Sequence, residues 1–111
     1  MKHKVNYTSQ SRRDMNEIWA YIAVELQNPT SAERTLDRIM DTVDQLELFA
    51  ESGAVVQEFP ELYREERFLV SGKYLVFYHV MENEVFIDRI LYGGRDYLKI
   101  LFGEGSDHDP E

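Results

Sequence analysis

The spacing of apolar residues changes once along this chain, from a period near 3.6 to a period of 2, and that change limits the fold more than any other feature. Met15, Ile18, Trp19, Ile22, Ala23 and Leu26 recur as one face of a helix. Leu36, Ile39, Met40, Val43 and Leu46 repeat the pattern, with Ala50 extending it. From Arg67 onward the apolar residues alternate instead. Helices first and strands second predict an α+β chain, with a helical hairpin on one face of a small antiparallel sheet.

Local signals place the boundaries. Lys4 to Tyr7 is short and β-prone, and reads as a first strand. Ser11 with Asp14, and Thr30 with Glu33, have capping-box spacing for two helix starts. Asn28-Pro29 is expected to end the first helix, because the residue before a proline disfavours αR. Ser52-Gly53 is expected to cap the second. Residues 54–66 read as irregular, with Pro60 inside. Three strands follow, Arg67 to Val70, Lys73 to Met81 and Val85 to Tyr92. Ser71-Gly72 and Glu82-Asn83-Glu84 are short enough for hairpins. In the middle strand both alternating faces are largely apolar, which predicts a strand covered on both sides, or on one side and by a partner. A short helix is expected over 95–102. The order is β-α-α-β-β-β with a possible terminal α. One domain is expected over 1–103, and an acidic, disordered tail over 104–111.

Composition removes several function classes. The 111 residues include no cysteine, so disulfides, thiolate metal sites and cysteine nucleophiles are excluded. No apolar run suits a signal peptide near Met1 to Tyr7 or a membrane span anywhere, so a cytoplasmic protein is expected. The net charge of −9 opposes nucleic acid, so no direct DNA binding by the chain alone is expected. The basic residues that remain useful sit in the second half: residues 60–99 hold six basic and seven acidic side chains. No His, Asp or Glu spacing resembles a metal motif, so neither metal nor cofactor is expected.

Three stretches, in order, resemble one family. Ile18-Trp19-x-Tyr21-Ile22 and Asn28-Pro29-x-x-Ala32 are similar to its first helix and the break after it. Arg67-Phe68-Leu69-Val70, a three-residue spacer, and Tyr74-Leu75-Val76-Phe77-Tyr78 are similar to its Arg-x-Leu and Tyr-x-Ile/Val-x-Tyr strand pair. Val85-x-Ile87-x-Arg89-Ile90-Leu91-Tyr92-Gly93-Gly94-Arg95-Asp96 resembles its last strand, with Tyr92 where histidine is common. The family is the RelE/ParE superfamily of toxins from type II toxin–antitoxin systems, and the resemblance covers roughly residues 5–102. It implies a growth-inhibiting toxin with a cognate antitoxin as partner. One branch cleaves mRNA on the ribosome; the ParE-like branch inhibits DNA gyrase. Fold alone does not choose between them.

The residues lean toward the second branch. RNA cleavage needs groups to move protons and cations to stabilise developing charge. Leu75 stands where the nucleases often carry arginine, and Leu101 where they carry a tyrosine. If the chain were nevertheless a nuclease, Arg67, Lys73, His79, Arg89 and Arg95 would line the cleft. As a binding toxin, its target or antitoxin surface would draw on Arg67, Tyr74, Tyr78, Arg89, Tyr92, Arg95 and Tyr97. Tyrosine and arginine suit interfaces, combining apolar area or a planar fork with polar tips. Each has a plainer reading beside it: salt bridges for the arginines, sheet packing for the tyrosines, a paired strand residue for His79. A third possibility is a family member that no longer poisons cells and only binds a partner.

Overall fold

The computed structural model describes residues 2–56 and 65–94. Its elements are β1 (Lys4–Tyr7), α1 (Ser9–Ala20), α2 (Pro29–Asp44), β2 (Ala54–Val55), β3 (Arg67–Ser71), β4 (Tyr74–Met81) and β5 (Glu84–Tyr92). The strands form one sheet in the order β1-β5-β4-β3-β2. Strands β3 to β5 are antiparallel, as expected, and β2 adds antiparallel to β3, but β1 lies parallel to β5. The sheet is therefore mixed. Strand β2 is an addition within the stretch expected to be irregular. The expected helix over 95–102 and the tail over 104–111 lie outside the described residues. No helix among the described residues is long and apolar enough to cross a membrane.

Both helix starts differ from the capping boxes expected. Thr8 caps α1, its side chain accepting from Ser11 N–H. Thr8 Oγ1 also donates to the Ile87 carbonyl at 2.7 Å, so one residue ends β1 and begins α1. Asn28 caps α2 through Ser31 N–H, and Pro29 occupies the first turn, where its missing N–H costs nothing. Asn28-Pro29 thus starts the second helix; the first ends earlier, its π-turn stopping at Glu25 with Leu26 as C-cap, and Gln27 follows with φ 54.

The end of α1 is a π-turn, Tyr21–Glu25. Its wider spacing adds a residue to the turn and rotates the next residues off the helical stripe. Ile22 and Ala23 stay buried, while Leu26 is 56% exposed. Trp19, on the flank of the stripe, is 42% exposed. Both were expected inside. The second helix closes through a 3-10 turn at Gln45–Glu47.

The core lies between the helices and one sheet face. Ile39, Val43 and Leu46 pack there with Val76, Tyr78, Val85, Ile87 and Ile90. Strand β4 is the central strand, and Val76, Phe77, Tyr78 and His79 are buried on its two faces. Gly53 ends the link from α2. A Cβ there would meet Tyr78 Oη at 2.6 Å and the Phe68 carbonyl oxygen at 2.8 Å, so the close approach demands glycine. Tyr78 Oη accepts from Gly53 N–H at 2.9 Å.

Candidate functional site

Strand β1 pairs only with Glu84 to Ile87, so the rest of β5 has no strand beside it on that edge. Helix α1 takes over there. Asp14, buried on α1, accepts from Arg89 Nε at 2.8 Å, Arg89 Nη2 at 3.0 Å and Ile90 N–H at 2.9 Å. The carboxylate thus replaces a strand carbonyl as acceptor for β5. Its hydrogen bond and charge push the Arg89 pKa above its already high ordinary value.

Beyond this pair the helix and sheet part to leave a cleft of about 690 Å³. Tyr21, Ile22 and Leu26 line one wall; Tyr74, Leu91 and Tyr92 line the other. Lys73, Asp14 and Glu17 add charge to its lining. Tyr74 and Tyr92 meet edge-on with ring centroids 5.9 Å apart. Burial, then the neighbouring phenols of Tyr21 and Tyr92, push the Tyr74 pKa up, so its hydroxyl stays protonated and able to donate. Tyr21, Leu26 and Tyr92 are also exposed to solvent, as are Trp19 and Val24 nearby. An apolar cleft with a few polar tips and an exposed apolar rim suits a partner's side chains.

Of the residues singled out from sequence, Lys73, Tyr74 and Tyr92 gather at this cleft. Arg67 and Tyr78 do not. Arg67 donates to the carbonyls of Glu51 and Gly53 at 3.1 and 2.9 Å, and pairs with Glu65 at 3.0 Å. With Tyr78 it fastens the link after α2 to the sheet. Arg89 is engaged by Asp14 at the cleft's inner end. Arg95 and Tyr97 lie outside the described residues.

His79 faces away from the main core. Its Nδ1 lies 2.7 Å from Asp88 Oδ2, and its ring stacks on Phe86 at 5.2 Å between centroids. A bulge sets this up: Phe77 pairs with Arg89 but Tyr78 with Ile87, so Asp88 is the extra residue. Glu66 completes the group, and among the described residues Glu66, His79 and Asp88 alone bring metal-capable donors together, within 4.8 Å of one another.

Sequence reasoning missed Asp14, Glu66 and Asp88 as site members. Asp14 left a signal, because it falls four residues before Ile18 and eight before Ile22, an acid within the buried stripe. Glu66 and Asp88 left none; their meeting depends on strand register and a bulge.

A family model described as the ParE toxin of the type II toxin–antitoxin system parDE matches residues 5–97. Among solved structures, a chain of the chromosomal ParDE toxin–antitoxin system from P. aeruginosa is similar in fold, with a TM-score of 0.67 at 22% identity. The match covers 82% of this chain and 96% of that one. No curated protein sequence matches.

Proposed function

The chain belongs to the ParE toxin family of type II toxin–antitoxin systems, and on that footing we propose that it poisons an essential bacterial enzyme by binding it, with DNA gyrase the foremost target. A cognate antitoxin keeps it silent by filling the cleft between α1 and the open end of β5. Tyr74 and Tyr92 are the residues a partner meets first, with Arg95 and Tyr97 as further candidates; Arg67, Tyr78 and Arg89 serve the fold instead, Tyr78 being fully buried and both arginines held by the protein's own acceptors.

One observation carries the choice of binding over RNA cleavage. Arg67 and Arg89 are both engaged by acceptors of the protein itself. A nuclease cleft needs its cations aimed at a phosphate that develops charge in the transition state. Here the two strand arginines fasten a loop and a helix. Leu75 on β4 supplies no replacement cation, and the net charge of −9 opposes an RNA substrate.

The test is induction of the chain without antitoxin, followed within minutes by labelled amino-acid incorporation and plasmid supercoiling. Loss of supercoiling with translation intact is expected. Prompt loss of translation with cleaved transcripts would replace this reading with the ribosome-dependent nuclease, and the absence of any growth effect with a non-toxic binding partner.

A further inference from the structure

We propose that Glu66, His79 and Asp88 bind one divalent transition-metal ion, with zinc the best match. The donors come from positions on or beside three adjacent strands. Glu66 immediately precedes β3, beside the Arg67–Tyr78 pair; His79 is on β4; Asp88 is the bulged residue of β5. Sheet register therefore sets their spacing. One ligand atom from each lies within 4.8 Å of the other two. Ligands at zinc bond lengths of about 2.0–2.2 Å stand roughly 3.4 Å apart in a tetrahedron. Side-chain rotation of about an ångström closes the set.

Burial and chemistry point the same way. Glu66 is 2% exposed and His79 is 9% exposed. Two carboxylates and an imidazole at low exposure offer the donor set and charge that suit a divalent cation. The stack on Phe86 holds the imidazole plane, and the bulge turns Asp88 toward it. One nitrogen and two carboxylates suit zinc or a similar ion. Soft copper(I) favours sulfur, and calcium takes six to eight oxygens. Three protein ligands leave a fourth position for water. The ion displaces the hydrogen bond between His79 Nδ1 and Asp88 Oδ2, and the imidazole coordinates through Nδ1 with its single proton on Nε2.

The experiment uses the full-length, untagged chain, stripped with chelator and titrated with zinc chloride alone by calorimetry. One ion per chain is expected. Thermal unfolding should shift upward on the order of 10 °C when free zinc is a hundredfold above Kd. His79→Ala should weaken binding at least about tenfold, and the near-isosteric Asp88→Asn should do the same if the alanine variant does not fold. A His3→Ala/His108→Ala variant should bind as the parent does. Absence of stoichiometric binding, equal binding by His79→Ala and Asp88→Asn, or loss of binding in the His3/His108 variant would each overturn the proposal.

Discussion

Asp14 on α1 and Arg89 on β5, 75 positions apart in sequence, form a two-pronged ion pair, with Arg89 Nε and Nη2 at 2.8 and 3.0 Å from the two carboxylate oxygens. Ile90 N–H joins them at 2.9 Å. Asp14→Ala would leave a guanidinium and a backbone donor without their acceptor. It should lower the free energy of unfolding by roughly 3 kcal/mol. Arg89→Lys keeps the charge but not the fork, and should cost about 1–2 kcal/mol. Urea unfolding of both variants checks the order; an Arg89→Lys variant as stable as the parent would mean that the fork geometry contributes nothing.

The cleft predicts a separation of binding from stability. Tyr92→Ser alters a half-exposed ring and should change unfolding free energy by less than about 1 kcal/mol. Antitoxin affinity should fall by about tenfold or more, since aromatic anchors dominate interfaces. Calorimetric titration with the cognate antitoxin, beside a melt of the free chain, reads both. Unchanged affinity would place the antitoxin elsewhere.

Gly53 and Tyr78 should behave as one unit. Gly53→Ala drives a methyl group into Tyr78 Oη and the Phe68 carbonyl, and should cost about 1–3 kcal/mol. Tyr78→Phe removes the acceptor of a buried N–H and should cost about 1–2 kcal/mol. Together they should cost less than their sum, because the phenylalanine removes the closest of the three clashes, leaving the Phe68 carbonyl oxygen and the ring Cε1. A double-mutant cycle in urea measures that shortfall.

Tyr7 sets an alkaline limit. Burial, then the charge of Asp44, pushes its pKa up from 10.0 to about 12. The unfolded chain releases this proton first, so its stabilising share is full below pH 10.0 and is lost as pH rises toward about 12. Tyr7→Phe should flatten the fall in stability across that window. An unchanged slope would assign the loss to other groups.

Element order, the helical hairpin and the strands from Arg67 onward were legible, because each depends on spacing within a few residues. The features hidden from sequence depend on distant pairing or on a change of period. The π-turn at Tyr21–Glu25 exposed Leu26 although 3.6-residue spacing puts it inside. The parallel β1–β5 pair joins opposite ends of the described chain, where no local pattern reports direction. Lys73, Tyr74 and Tyr92 were visible as candidates, but the cleft that unites them follows from β1 being shorter than β5. Arg67 was visible too; its attachment to Glu51 and Gly53 was not, since carbonyl acceptors have no residue signature.

The register that pairs Lys4 with Glu84 also imposes a schedule on synthesis. Strand β1 is made well before its partner. At about 5–20 residues per second, roughly 4–16 s separate the two. During that interval the helical hairpin can form from local contacts, while the N-terminal strand has nothing to pair with. The α1–β5 cleft cannot exist until β5 has emerged, so the surface proposed to hold the antitoxin is completed only when β5 is made.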